Sequence, residues 1–186
     1  MNIFVLDLEP HFAARDHCDE HIRKMPIEYG QVLSTVQHYW GNKDTRLYKP
    51  THINHPSVNW ARNSISNYEW LAELFYYSCL EYRRRFMKSI VTEDKLLRLL
   101  LQPPPMVDIG LTNFPLAMPE VFKVEGDPVL SYRLFYVFGK TIFATWSSGR
   151  TVPKWYREGL VQLKYEGRLE NASTLLSQQR TFDQWR

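Results

Sequence analysis

Apolar residues recur at helical spacing over much of the chain. After a short extended run at Asn2–Leu6, the segment from Ala13 to Trp40 is predicted to form one amphipathic helix, kinked by Pro26. Its apolar positions fall three and four residues apart, at Ile22, Met25, Tyr29, Val32, Val36 and Trp40. This stripe needs a partner surface, which a helical bundle supplies.

A second seam of the same kind runs from Ile65 to Phe86, and its helix starts near Ser57 or at Ser66. The sequence Ser66-x-x-Glu69 has the form of a capping box. Further helices are predicted at Thr92–Leu101, from Asp127-Pro128 toward Phe138, and at Lys154–Tyr165. The fold class is therefore mainly α: a compact single-domain helical bundle over residues 1–166, with a short N-terminal extended segment and a polar C-terminal tail at 167–186.

Composition narrows the class of protein. Of 186 residues, 44% are hydrophobic, which excludes wholesale disorder, and 15% are aromatic, which suits a packed core or a surface that stacks on planar ligands. A net charge of +3 permits an anionic partner but is low for a nucleic-acid coat. The cysteines, Cys18 and Cys79, lack metal-site spacing and indicate reduced thiols. We expect a cytoplasmic protein with no membrane span and no cofactor.

The first predicted helix carries a candidate proton-transfer site. His17, His21 and Glu28 are spaced by four and seven residues and fall within roughly a 40° arc beside the apolar stripe. A carboxylate at the edge of a core can be partly desolvated, which fits it for general acid–base work. Periodicity alone favours a solvated face on which Glu28 balances Lys24 and Arg23. The pair His17-x3-His21 also has helical zinc spacing, but with no second ligand pair we predict no metal.

Two other segments offer ligand contacts. His55, Trp60, Arg62 and Asn63 could stack on a base and hold a phosphate, or Trp60 could be buried with Arg62 bonded at a helix C-terminus. The segment from Tyr136 to Ala144 contains Lys140 among aromatic residues. It is interpreted as a nucleic-acid-contacting turn or, equally, as a strip of core.

Many short motifs of the chain resemble those of a group of small phage-encoded proteins. The shared motifs are the opening Met-Asn-Ile-Phe-x-Leu-Asp (1–7), Ala13-Ala14, His-Cys-Asp-x-His (17–21), Lys24-Met25, His-Pro (55–56), Trp-Ala-Arg (60–62), Phe-x-Leu-Ala-Met-Pro-Glu (114–120) and Asp-Pro-Val with Tyr-Arg (127–133). The resemblance extends through Tyr156. It implies a phage protein that works in the host cell cytoplasm.

The first helix is also similar to that of the pyrimidine-dimer DNA glycosylase family, known as endonuclease V. That family shows Asp-x-His followed, seven residues after the His, by a catalytic glutamate, and Asp19-Glu20-His21 and Glu28 keep this spacing. The segments 69–86 and 136–144 are similar in pattern. The resemblance implies a helical domain that acts on DNA, with Glu28 and His21 in catalysis.

The chain departs from that family at three positions. The family uses the α-amine of a threonine exposed by removal of the initiator Met, whereas residue 2 here is Asn2, which is too large for ordinary removal, so Met1 is expected to remain. The arginines that flank the family's glutamate are Ile27 and Gln31 here. Glu28 and His21 therefore carry over, and the N-terminal nucleophile does not.

Two functions remain open at this point. The first is a DNA glycosylase with Glu28 as general acid/base and His21 beside it, and with substrate contacts from Asp19, Lys24, His17, His55, Trp60, Arg62, Asn63 and Lys140. The alternative is a nucleotide-binding protein that sequesters, cleaves or modifies a free nucleotide, for example a host immune signal. The retained Asp-x-His and Glu28 favour the first, and the modest charge and the missing arginines favour the second.

Overall fold

The structure, a computed structural model, describes residues 2–165 and confirms the predicted class, since that part of the chain is all helical with no strand. Its α-helices are α1 Pro10–Asp16, α2 Asp19–Tyr39, α3 Pro56–Ala61, α4 Ile65–Phe86, α5 Val91–Leu100, α6 Pro128–Gly139 and α7 Lys154–Tyr165, with a 3-10 turn at Glu120–Phe122. Met1 and the predicted polar tail lie outside the described residues. Within 2–165, no helix combines the length and apolarity needed to cross a membrane.

The prediction of one helix from Ala13 to Trp40 is wrong, because the chain breaks at His17 and Cys18. Both residues have extended backbone, with ψ of 139° and 164°. The break has a local cause: the imidazole Nδ1 of His17 donates to the carbonyl oxygen of Ala13 at 2.6 Å, in place of the backbone N–H that would continue the helix. Pro26 lies inside α2, which runs on to Tyr39.

The predicted capping box is also wrong. Helix α4 begins at Ile65, and Asp108 from a distant loop takes over the capping. The Asp108 carboxylate accepts from the backbone N–H of Ser66 at 3.1 Å and from the hydroxyls of Ser64 at 2.7 Å and Ser66 at 2.8 Å. These bonds hold the pKa of Asp108 well below its usual range. By contrast, the predicted N-cap Asp127 is confirmed, since it accepts from the N–H of Leu130 at 2.8 Å.

The N-terminal extended segment is buried between distant parts of the chain. Helix α2 packs against α4 and α5, and Ile3–Leu6 joins the same core. Asn2 fixes the segment, because its amide donates to the carbonyl of Ala117 at 2.9 Å and its side-chain oxygen accepts from the hydroxyl of Tyr132 at 2.9 Å. The first residues therefore lie beside α6.

A buried ion cluster joins the break before α2 to α4 and to the loop after α6. The fully buried guanidinium of Arg85 lies 3.1 Å from carboxylate oxygens of both Asp19 and Glu81, and it also donates to the backbone carbonyls of Arg15 and His17 at 2.8 Å. Arg150 forms a second ion pair with Glu81. The cluster fixes the start of α2, on which the candidate site stands.

Candidate functional site

A cavity of about 730 Å³ opens between α2, the N-terminal segment and the end of α6. We call it the α2–α6 cavity. Its volume lies in the range of about 300–1,000 Å³ typical of small-molecule sites. One part of its wall is aromatic, formed by Phe4, Phe135 and Phe143. The remainder carries its charged groups, Glu20, Arg23, Lys24, Glu28 and Lys140, together with His21 and several small or apolar residues.

Glu28 lies in the wall of this cavity, away from bulk solvent. Only 13% of its side-chain surface is exposed, and its Oε1 is 3.2 Å from the Nζ of Lys24, one helical turn earlier. The ion pair proposed for the solvated face therefore exists, but the carboxylate itself is shielded. A shielded carboxylate beside a space that admits a ligand is a suitable general acid–base group.

His21 contributes a neutral imidazole to the same wall. Its Nδ1 is hydrogen bonded to the hydroxyl of Tyr136, and its ring centroid lies 4.3 Å from that of Phe4. Burial lowers the pKa of His21 well below 6.5, with a further contribution from His17. This hydrogen bond uses Nδ1, so Nε2 is the ring nitrogen that remains for a ligand.

Lys140 enters the cavity from the end of α6, among the aromatic rings. Its Nζ lies 4.4 Å from the ring centroid of Phe135 and 5.8 Å from that of Phe143. Burial is the main reason that the pKa of Lys140 is lowered from 10.5, and the positive charge of Lys24 lowers it further.

His17 does not join His21 and Glu28 on one helix face, because it precedes the first residue of α2. Both of its ring nitrogens are used within the core: Nδ1 donates to Ala13, and Nε2 accepts from the hydroxyl of Tyr29 at 2.7 Å. Burial lowers the pKa of His17 to about 4. His17 is therefore a structural residue with no nitrogen left for a substrate, and residues 2–165 contain no cluster of three or more potential metal ligands.

Asp19 is also placed outside the cavity wall. Besides its ion pair with Arg85, its carboxylate accepts from the backbone N–H groups of Ser147 at 2.8 Å and Ser148 at 3.1 Å. These partners occupy both carboxylate oxygens. Asp19 holds the loop that follows α6 against the start of α2, so it supports the site without lining it.

The four residues predicted around α3 lie outside the cavity wall, although His55 is near enough to Glu28 to interact with it: burial lowers the pKa of His55, and the charge of Glu28 opposes this. Trp60 is buried against Trp70 and Phe114, as the alternative interpretation stated. His55 accepts the N–H of Ser57 as the cap of α3, the guanidinium of Arg62 lies over the Tyr39 ring at 4.5 Å, and Asn63 is exposed beyond the helix. None of the four lines the cavity, because α3 packs against α2 and α4 elsewhere.

Comparison with known proteins does not assign this chain to a class. No protein-family model matches the chain, and no curated protein and no solved structure is significantly similar to it. The α2–α6 cavity and the residues that form it are therefore the features of this protein that indicate a function.

Because His17 and His21 are buried, we expect the free energy of unfolding to fall below about pH 6.5. In the unfolded chain His17 has a pKa near 6.5, and in the folded protein it is held near 4, so stability is full above 6.5 and is lost as the pH falls toward 4. Each such histidine adds up to about 1.4 kcal/mol per pH unit to the slope, and His21 acts in the same direction. Urea unfolding at several values between pH 7.5 and 5 measures this slope.

The variant His17→Leu should reduce the pH dependence of the free energy of unfolding by close to one bound proton, whatever its effect on stability at pH 7.5. His52→Asn is the matched control, since His52 is exposed and should leave the slope unchanged. Equal slopes in wild type and His17→Leu would contradict the neutral state of His17.

Proposed function

We propose that this protein is a phage DNA glycosylase-like enzyme that acts on the N-glycosidic bond of a damaged or modified base, with Glu28 as its general acid/base. The observation that carries the proposal is the shielded carboxylate of Glu28 in the wall of a 730 Å³ cavity. Positive charge develops on the sugar as an N-glycosidic bond breaks. A desolvated carboxylate stabilises that charge and can activate a water molecule.

The remaining walls of the cavity suit an extruded nucleotide. The rings of Phe4, Phe135 and Phe143 offer flat apolar surfaces for a base that has left the helical stack. Arg23 and Lys24 supply positive charge for the flanking phosphates, and Lys140 lies among the rings. The spacing of Asp19, His21 and Glu28, which resembles that of the pyrimidine-dimer glycosylase family, favours the same reaction class.

An exposed apolar side chain beside the cavity favours duplex DNA over a free nucleotide. Ile142 is 78% exposed and lies in the turn between the cavity residues Lys140 and Phe143. Proteins that distort DNA insert such apolar side chains between base steps, and the inserted group fills the space of an extruded base. We propose this role for Ile142.

Ile142→Ala should lower activity on duplex DNA by about 10-fold, consistent with loss of roughly 1.4 kcal/mol of stacking and apolar contact. Activity on the same base in single-stranded DNA should change much less, because no stack has to be opened. Ile53→Ala is the matched control, since Ile53 is exposed but lies near α3. An equal loss of activity on duplex and single-stranded DNA would contradict the insertion of Ile142 between base steps.

A second candidate is a protein that binds, cleaves or modifies a free nucleotide in the same cavity. The charge of the wall favours it: three cations are offset by Glu20 and Glu28, which suits one phosphate group better than the backbone of a duplex. A mononucleotide held this way should lose little affinity as salt rises, whereas a bound duplex should lose affinity steeply.

The deciding experiment measures base release from defined DNA. The purified chain is incubated with UV-irradiated duplex and with duplexes that contain uracil, 5-hydroxymethyluracil or 8-oxoguanine, with undamaged duplex as control. Release of a base that Glu28→Gln fails to release supports the glycosylase. If no DNA reacts and nucleotides bind with little salt dependence, the second candidate replaces it.

A further inference from the structure

Lys140 differs from the other cations of the α2–α6 cavity because no residue of the described range 2–165 forms an ion pair with it. Arg23 is within 3.9 Å of Glu20 and packs over the ring of Phe86, and Lys24 pairs with Glu28. Within residues 2–165, no carboxylate lies within ion-pair distance of Lys140 Nζ, whose neighbours are the rings of Phe135 and Phe143. An ammonium group in this position has lost water, and the charge of Glu28 acts on it from a distance, without a direct ion pair, and offsets only part of that loss.

Of the three cations that line the cavity, Lys140 is the one whose environment favours loss of its proton, which a nucleophilic lysine requires. An arginine stays protonated at any physiological pH, and Lys24 is exposed and paired with Glu28. A partly buried lysine with like charge nearby releases its proton more readily, which is the condition for a lysine nucleophile. Burial and Lys24 lower the pKa of Lys140 in this way.

We propose that Lys140 is the nucleophile of this site, and that its Nζ attacks C1′ of the nucleotide in the α2–α6 cavity and forms a covalent imine with the sugar. This inference rests on the proposed glycosylase function. It specifies the mechanism of that function: the base leaves by a covalent route and not by direct hydrolysis. Glu28 transfers the protons along this route.

The step balances without an additional reactant. The lone pair of neutral Nζ forms the bond to C1′, and the N-glycosidic bond breaks with its electron pair leaving on the base. Opening of the sugar ring then transfers the C1′–O4′ electron pair to O4′ as the C1′=N imine forms. The two protons lost by Nζ end on the departing base and on O4′, with Glu28 as the relay. Water later hydrolyses the imine and restores the amine.

The test uses the full chain and a duplex with one abasic site, made by removing uracil from a uracil-containing duplex. The open sugar presents the C1′ aldehyde directly, so the probe does not depend on which base the enzyme recognises. Borohydride reduces the imine to a stable amine, and peptide mass spectrometry locates it. We expect the adduct on Lys140.

Matched variants separate this role from ordinary surface reactivity. Lys140→Arg keeps the charge and should lower trapping at least about 10-fold, whereas Lys88→Arg, at an exposed lysine that follows α4, should leave it unchanged. Trapping by wild type should persist well below the pH at which an ordinary lysine, with a pKa near 10.5, reacts. Urea unfolding of Lys140→Arg confirms that the variant is folded.

The outcomes distinguish this inference from the function on which it rests. Adduct on another lysine or on the N-terminal peptide, which adjoins the cavity residue Asn2, overturns the assignment of Lys140 but retains an imine route. Base release with no adduct overturns the imine route and leaves a hydrolytic glycosylase. Absence of both base release and adduct overturns the proposed function as well.

Discussion

Glu28→Gln is expected to lower base release by about 10²–10⁴-fold, the contribution typical of a positioned general acid–base group. The amide is nearly the same size as the carboxyl, so it fills the same part of the wall, but it neither carries the negative charge nor exchanges a proton. Single-turnover rates on a reactive duplex, measured beside urea unfolding of the same variant, test this expectation.

The matched control for Glu28→Gln is Glu20→Gln. Glu20 also lines the cavity, but its side chain is 58% exposed and its contact with Arg23 is long, at 3.9 Å. We expect its activity to stay within about twofold of wild type, since an exposed ion pair contributes at most about 1 kcal/mol. Full activity in a folded Glu28→Gln protein would remove Glu28 from the mechanism.

Arg85→Met is expected to lower the free energy of unfolding by about 3–5 kcal/mol, the effect typical of breaking a buried ion pair from one side. Methionine fills part of the volume but leaves Asp19 and Glu81 buried without their common cation. Burial alone would raise the pKa of Glu81, but hydrogen bonds and charge from Arg150 and Arg85 lower it, so the cluster favours an ionised carboxylate that the variant then fails to neutralise.

Denaturant unfolding at pH 7 measures this loss, with Arg84→Met as the control. Arg84 precedes Arg85 in α4 but is exposed, and its replacement should change stability by no more than about 0.5 kcal/mol. Equal stability of the two variants would show that the cluster is not a source of stability. Because Asp19 also holds the loop after α6, a destabilised but folded Arg85→Met protein should bind substrate less well.

The sequence predicts the long helices well, because their apolar spacing is set by the core that they share. Tyr29 and Val32 of α2 and Phe75 of α4 are all fully buried, as the three-and-four periodicity indicates. The break before α2 is not predictable in this way, since neither proline nor glycine marks it. It depends on a hydrogen bond from His17 to a backbone carbonyl and on Arg85, which is 68 residues away in the chain.

The candidate site is predicted only in part, because the helical spacing of residues does not show which distant segments of the chain come together. Glu28, His21, Lys24 and Lys140 do line one cavity, and the helical spacing of the first three residues placed them close together. Trp60 and Arg62 were grouped by their chemistry along a short segment, yet α3 faces another part of the core. Phe143 lies in the segment 136–144 that the sequence offers as a contacting turn, but Phe4 and Phe135 are not predicted, because nothing in their local sequence distinguishes a cavity ring from a core ring.

The position of Asn2 between Ala117 and Tyr132 has a consequence for synthesis on the ribosome. Asn2, Phe4 and Glu28 leave the exit tunnel early, but Phe135, Lys140 and Phe143, which complete the cavity wall, are translated more than a hundred residues after Glu28. A nascent chain that stops before α6 can assemble α2 and α4 but has no enclosed site. The complete wall of the α2–α6 cavity therefore exists only after residue 143 has been translated.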